Sequence, residues 1–301
     1  MRKDLKRLQR VSQQWQRLET RAGAHALEKE EALTCRLLVA EMLKTKLLTM
    51  RAILAAICVA TSRAGGWLAA DDFTSNGVTF KVQTYIPDGT SQASYPMTLC
   101  LHSSGSLGTD NAKQLGSGEP CYVWADWKAQ REPTILVAPQ LASGAWFEDP
   151  AAAAIRELVK TYLNGTRSVG LAVNASRAFV TGHSNGAGGT WKLLDDDARL
   201  FAAASISDFF DPWSFDASLV AKTPQWVLSS SADTTVPTAK TLEPVTELWA
   251  AKGLPGSPDD TSDADLKWTL FDGDDAPRHG GVPQYIRAKI GDEFLAWHYA
   301  H

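Results

Sequence analysis

A serine flanked by two glycines lies at residues 182–186, and its setting suits nucleophilic chemistry. An apolar, partly β-branched run at residues 177–181 predicts a buried strand before it, and residues 187–194 predict the start of a helix after it. A turn this tight needs glycines beside the serine, because larger side chains collide with the strand and the helix. We therefore expect Ser184 at a helix N-terminus, where free amides favour negative charge.

The order of strand, Gly-x-Ser-x-Gly turn and helix resembles the nucleophile elbow of the α/β-hydrolases. In that fold the catalytic residues follow one another along the chain as serine, acid and histidine. Of the six histidines, His279, His298 and His301 come after Ser184. The last two end an apparent C-terminal helix, whereas His279 lies in a turn-rich loop after a predicted strand at residues 267–271. His279 is the predicted general base, because a loop lets the imidazole reach the serine.

Asp233 is the predicted acid of this triad. It follows an apparent strand at residues 223–231, at the edge where the catalytic groups of an open parallel sheet collect. Its carboxylate is expected to accept the Nδ1 proton of His279 and to select the tautomer of the imidazole. Asp208, which follows a predicted strand at residues 202–207, is the alternative acid.

Attack on a carbonyl also requires donors for the oxyanion, and a loop of small residues brings backbone amides close to a substrate. Residues 96–101 predict an apolar strand, and residues 102–111 continue it as a loop of mainly small residues. The amides of Ser104 and Asn185 are the predicted oxyanion hole.

The loop resembles the His-Gly-x-Gly-x-x-Gly-Thr-Asp-Asn segment of an esterase branch that contains polyhydroxybutyrate depolymerases, feruloyl esterases and related carboxylesterases. Residues 137–140, Val-Ala-Pro-Gln, and residues 177–182 are similar to that branch as well. The resemblance implies a serine esterase that cleaves a carboxylic ester through an acyl-enzyme. Two departures concern the oxyanion hole and the anchoring of the histidine: Ser103 replaces a family glycine, and glycines follow His279.

Strand-like and helix-like segments alternate along the chain, which predicts an α/β fold with a mostly parallel central sheet and helices on both faces. Strands are expected near residues 78–86, 97–101, 134–137, 178–181, 203–207, 226–230 and 268–271. Helices are expected near residues 151–163, 186–194, 239–251 and 282–297. With the elbow motif, this pattern predicts the α/β-hydrolase fold.

The charge of the chain is unevenly divided. Residues 1–51 contain 12 Lys and Arg against 6 Asp and Glu, and the remaining 250 residues contain 18 against 28. An acidic catalytic region repels phosphates, so nucleic acid is not an expected partner. The sequence shows no His or Cys cluster with metal-ligand spacing and no dinucleotide-binding glycine pattern, so neither a metal nor another cofactor is expected.

Three segments are predicted: a charged helical extension at 1–49, a segment resembling a secretory signal peptide at 50–70, and the catalytic domain at 71–301. Basic residues precede an apolar run at 52–60, and a small-x-small cleavage site ends at Ala64. The run is too short to span a membrane. In one interpretation translation starts at Met50, and we expect a secreted or periplasmic protein, with a cytoplasmic protein as the alternative.

Aromatic residues and cysteines complete the predicted catalytic domain. Among the 11 tryptophans, Trp146 and Trp213 are expected to line the substrate pocket, near the C-terminal ends of the strands. Cys100 is expected to be an inert thiol in a buried strand, and a disulfide with Cys121 after export is the alternative.

The expected partner is a small-molecule or polymeric ester, and the sequence leaves its acyl and alcohol groups open. The same triad serves peptidases and thioesterases, so these activities are alternatives on the same fold. A non-catalytic binding module is the alternative of another class. Ser103 and the glycines after His279 motivate it, because they alter the loops that carry the oxyanion hole and the histidine.

Overall fold

The computed structural model describes residues 66–68, 71–87, 92–125, 132–167, 171–209, 215–258 and 263–301. The predicted extension at 1–49 lies outside the described residues, and so does the signal-like segment at 50–70 apart from positions 66–68. All of the described residues belong to one compact unit, Arg63–His301.

The described residues contain nine strands that join in one sheet. They are β1 (Gly66–Trp67), β2 (Asp71–Ser75), β3 (Val78–Ile86), β4 (Tyr95–Leu101), β5 (Ile135–Leu141), β6 (Val173–His183), β7 (Ala203–Ser207), β8 (Gln225–Ser230) and β9 (Leu266–Phe271). Their order is β1-β3-β5-β4-β6-β7-β8-β9, and β2 also pairs with β3. The pairs from β5 through β4 to β9 are parallel, whereas β3 runs antiparallel to β1, β2 and β5.

Helices cover both faces of this sheet. They are α1 (Pro120–Ala125), α2 (Asp149–Leu163), α3 (Asn185–Asp196), α4 (Ala217–Val220), α5 (Thr238–Ala251) and α6 (Val282–Ala300). The sequence places Pro150 in the first turn of α2 and buried Ala154, Ile155 and Leu158 at helical spacing along one side. None of the helices in the described ranges has the length and apolar character needed to cross a membrane.

Alternation along the strands divides the core into two clusters. In β4, Met97, Leu99 and Leu101 belong to the cluster on one face, and Cys100 belongs to the cluster on the other. The first cluster includes apolar residues of α2, α3 and α5, and the second includes those of α1 and α6. Cys121 is buried in the second cluster with Cys100, but no disulfide joins the two, so the alternative of a disulfide is wrong here.

The predicted fold class is confirmed: the sheet is mostly parallel and mixed, with helices around it. The strands β6, β7, β8 and β9 lie side by side and parallel, so their C-terminal ends meet at one edge of the sheet. Ser184, Asp208, Asp233 and the loop that carries His279 follow these four strands in turn. The fold therefore gathers every predicted catalytic side chain at this edge.

Candidate active site

Ser184 occupies the sharp turn between β6 and α3. Its φ of 55° and ψ of −119° lie outside the regions that L-residues favour, which is the strain expected of a nucleophile elbow. The backbone amide of Ser184 donates a hydrogen bond to the carbonyl of Ser207 at 2.9 Å and so ties the turn to the end of β7. Ser184 is half-buried between the buried residues His183 and Asn185, so the turn exposes the serine selectively.

The glycines at positions 182 and 186 are required by close approach. A Cβ at Gly182 would lie 2.1 Å from the carbonyl oxygen of Gly186, and a Cβ at Gly186 would lie 1.9 Å from that of Leu101. Both distances are far inside van der Waals contact and involve backbone atoms that cannot rotate away. The second contact also brings the start of α3 against the end of β4, immediately before the predicted oxyanion loop.

Asp233 and His279 are directly hydrogen-bonded. The Oδ2 atom of Asp233 lies 2.5 Å from Nδ1 of His279, and the Asp233 side chain has no exposed surface. The other carboxylate oxygen accepts the amides of Thr235 and Val236 at 2.7 and 2.9 Å. Burial opposes ionisation of Asp233, but the bonds from His279 and the two amides outweigh it and hold its pKa below the usual value.

The His279 loop is anchored although glycines follow the histidine. The Ser230 hydroxyl donates to the carbonyl of Pro277 at 2.6 Å. A 3-10 turn, His279–Gly281, then leads into α6. The imidazole ring lies 4.7 Å, centroid to centroid, from the ring of His183, so it is next to the elbow. Burial, reinforced by the neighbouring His279, lowers the pKa of His183 to about 3 and keeps its ring neutral.

The predicted oxyanion loop begins with a 3-10 turn at Ser104–Ser106. In the part of the chain that the structure describes, the backbone amides of Ser104 and Asn185 donate to no other group. Each is the first residue of its helical turn, where an amide has no intrahelical acceptor. Both amides are therefore available to a substrate oxygen.

Glu119 anchors the same loop through hydrogen bonds, and the sequence analysis did not predict this role. Its carboxylate accepts the backbone amide of Ser103 at 2.8 Å, the hydroxyl of Ser103 at 2.7 Å and the hydroxyl of Ser106 at 2.6 Å. Burial raises the pKa of Glu119, and these three hydrogen bonds oppose the rise. The serine at position 103 thus has a defined partner and fits the loop.

Trp146 does not line a pocket in this structure. Its side chain is fully buried against Phe80 and His102, and its Nε1 donates to the carbonyl of His102 at 2.9 Å. The Asn185 side chain accepts the Trp146 amide at 3.1 Å, so Trp146 fixes the elbow to β4 from within the core. The expectation that it forms the pocket wall is corrected by this burial. Trp213, the other predicted wall residue, lies outside the described residues.

Asp208, the alternative acid, is present beside the pair. Ligand atoms of Asp208, Asp233 and His279 lie within 4.8 Å of one another, and in the described residues this is the group with a geometry able to hold a metal ion. The hydrogen bonds described above already use both oxygens of Asp233 and one nitrogen of His279. The structure thus brings the predicted acid and its alternative together, and it is Asp233 that contacts the histidine.

Comparisons with known proteins agree with this architecture. No protein-family model matches the chain. The bis(hydroxyethyl) terephthalate hydrolase of Streptomyces coelicolor is 35% identical over 99 residues, which are 33% of this chain and 29% of that protein. The match therefore spans less than a third of the length of this curated relative.

Two solved structures show the fold. A thermostable esterase aligns with a TM-score of 0.62 at 23% identity, over 78% of this chain and 62% of that chain. An α/β-hydrolase from a deep-sea metagenome library of the Medee basin aligns with a TM-score of 0.54 at 15% identity, over 78% of this chain and 97% of that chain. This chain has the α/β-hydrolase fold, and esterases are among its structural neighbours.

Proposed function

We propose that this protein is a serine hydrolase that cleaves carboxylic esters through an acyl-enzyme. The observation that carries the proposal is the juxtaposition of a strained serine turn with a hydrogen-bonded aspartate–histidine pair. Ser184 is held at the N-terminus of α3, and the ring of His279 lies 4.7 Å from that of the adjacent His183. Asp233 is hydrogen-bonded to Nδ1 of the imidazole.

The hydrogen bond from Nδ1 of His279 to Asp233 assigns the roles. Because Nδ1 carries the proton that Asp233 accepts, Nε2 has a free lone pair and acts as the general base toward Ser184. The Ser184 oxygen attacks the acyl carbon, and the amides of Ser104 and Asn185 stabilise the oxyanion. His279 then protonates the departing alcohol, and a water molecule activated by the same nitrogen hydrolyses the acyl-enzyme. The sequence of steps needs no cofactor.

The partial match to a bis(hydroxyethyl) terephthalate hydrolase supports an ester as the substrate. We therefore propose a small or polymeric carboxylic ester as the physiological partner, and bis(hydroxyethyl) terephthalate as the first defined ester to assay. We also propose that the protein acts outside the cytoplasm, because the segment at residues 50–64 has the basic, apolar and small-residue pattern of a signal peptide.

Steady-state hydrolysis of matched substrates tests the proposal. A p-nitrophenyl ester, a p-nitroanilide and a thioester with the same short acyl group should be compared, with bis(hydroxyethyl) terephthalate as a fourth substrate. We expect kcat/KM to be highest for an ester and to vanish in Ser184→Ala. Preferred turnover of the anilide or the thioester would instead assign a peptidase or a thioesterase, and no turnover by folded protein would favour a binding module.

A further inference from the structure

Asp208 is a second buried aspartate beside the proposed triad. It follows β7, has no exposed surface and takes a φ of 50°, in the left-handed region. Its backbone amide donates to the carbonyl of Leu228 at 3.0 Å, so the main chain is fixed to β8. The carboxyl group therefore lies in the protein interior, away from solvent.

The short separation between Asp208 and Asp233 restricts their ionisation. Carboxyl oxygens of both residues and a ring nitrogen of His279 lie within 4.8 Å of one another. Two buried carboxylates at such a separation repel each other, which favours the state in which one of them retains a proton. The hydrogen-bond partners of the two carboxyl groups indicate which aspartate retains the proton.

Asp233 has more hydrogen-bond donors around its carboxylate than Asp208 has. Asp233 accepts hydrogen bonds from His279 and from two backbone amides. Asp208 accepts one, from the amide of Ser230 at 3.2 Å, and among the described residues its Oδ2 atom has no partner. Burial and the charge of Asp233 raise the pKa of Asp208 well above its usual value, although the Ser229 hydroxyl and the Ser230 amide oppose this rise.

We propose that Asp208 is a neutral carboxylic acid that donates a hydrogen bond to the Asp233 carboxylate and so positions the Asp233–His279 pair. Asp208 is a positioning residue, because it acts through Asp233 and does not touch the reacting atoms. Its effect on turnover rests on the serine-hydrolase function proposed above, whereas its protonation does not.

Kinetics of Asp208→Asn and Asp208→Ala test the positioning role. The asparagine amide still donates to Asp233 and accepts from Ser230, so we expect kcat within about threefold of wild type. Alanine removes a hydrogen bond to a charged group, so we expect kcat to fall about tenfold or more while KM stays constant. Equal rates for Asp208→Ala and wild type would overturn the proposal. So would a collapse of about 10⁴-fold in Asp208→Asn, because Asp208 would then be the anionic acid.

Infrared spectroscopy of the full chain at neutral pH tests the protonation without any substrate. The difference spectrum between wild type and Asp208→Asn should contain the C=O stretch of a protonated carboxyl group, shifted in D₂O. A carboxylate band in its place would overturn the proposal. Failure of Asp208→Asn to fold would also overturn it, since the amide reproduces each hydrogen bond of a neutral acid. The band is expected even in a protein without esterase activity, so the two proposals fail separately.

Discussion

The Oδ2 atom of Asp233 lies 2.5 Å from Nδ1 of His279, although the two residues are 46 positions apart. The distance follows from the sheet: Asp233 leaves β8, and the His279 loop leaves β9, its parallel neighbour. The two side chains meet beyond the strand ends because parallel strands deliver their C-termini to the same edge. In the proposed mechanism, this hydrogen bond selects the tautomer in which Nε2 of His279 is the base.

Asp233→Asn should nearly abolish turnover without unfolding the protein. An asparagine at this position offers its amide or its carbonyl to Nδ1, so the imidazole is no longer held as the Nδ1–H tautomer. We expect kcat on a p-nitrophenyl ester to fall by about 10⁴, as in serine proteases. A thermal melt checks that the variant is folded, and a loss below tenfold would contradict the assignment of Asp233 as the acid.

Gly182→Ala and Gly186→Ala should prevent folding, because a methyl group at either position overlaps a backbone carbonyl. We expect a loss of roughly 4 kcal/mol or more in the free energy of unfolding. A lower yield of soluble protein and a lower melting temperature would report this loss. Gly280→Ala is the matched control, since a Cβ there meets nothing within 4 Å. If all three variants melted alike, the close packing of the elbow would be wrong.

Glu119→Gln should slow catalysis by disturbing the oxyanion loop. The glutamine keeps the acceptor for the two serine hydroxyls but turns an NH₂ group toward the Ser103 amide, so two donors face each other. Displacement of the loop by about 1 Å costs on the order of 10²-fold in rate. We expect that loss in kcat with little change in KM, because the oxyanion forms after binding.

Ser117→Ala provides the control for this loop. Ser117 is exposed, accepts a hydrogen bond from Gln284 at 2.6 Å and lies near Glu119 in the sequence. We expect its kcat to match wild type. Equal kcat values for Glu119→Gln and wild type would show that the loop does not depend on the carboxylate.

His298 should make the fold sensitive to acid. The side chain is fully buried beside Trp124 and Phe294, and this burial lowers its pKa to about 3. In the unfolded chain this imidazole binds a proton near pH 6.5, whereas in the folded protein it stays neutral down to about pH 3. The folded protein therefore keeps its full stability above about pH 6.5 and loses stability as the pH falls from there toward 3. Below pH 6.5 we expect the free energy of unfolding to fall by up to about 1.4 kcal/mol for each pH unit.

His298→Phe isolates this contribution. Wild type and variant share every other titrating group, including Asp208 and Glu119, whose raised pKa values act in the opposite direction. Denaturant titrations should show wild type losing about 2 kcal/mol relative to the variant between pH 7 and pH 5. Parallel stability curves over that range would contradict a neutral, buried His298.

Strands with strong apolar patterns were predicted well. The segments at 78–86 and 203–207 agree with β3 and β7, and the predicted helices at 151–163 and 239–251 miss one or two residues at their starts. The strand β2 was not predicted, because its sequence, Asp-Asp-Phe-Thr-Ser, is polar and mostly exposed. It is extended because it pairs with β3, and a pairing of this kind leaves no periodic signal in the chain.

The site was predictable where a motif or the chain order constrained it. The Gly-x-Ser-x-Gly motif identified Ser184 as the candidate nucleophile. The fixed order of the triad along the chain pointed to Asp233 and His279, which the structure joins by a hydrogen bond. Glu119 was missed because its partners lie 13 and 16 positions away and no motif links them. The position of Trp146 was misjudged because a loop residue can still be buried when a glycine of α3, Gly189, lets it approach the helix.

Reaction with a fluorophosphonate probe tests the central claim, that Ser184 is activated by His279 and Asp233. The full protein, Ser184→Ala and His279→Ala should each be incubated with the probe and analysed by intact-mass and peptide mass spectrometry. We expect one adduct on Ser184 in wild type, none in Ser184→Ala and greatly slowed labelling in His279→Ala. Folded wild-type protein that stays unlabelled, or labelling at another residue, would contradict it.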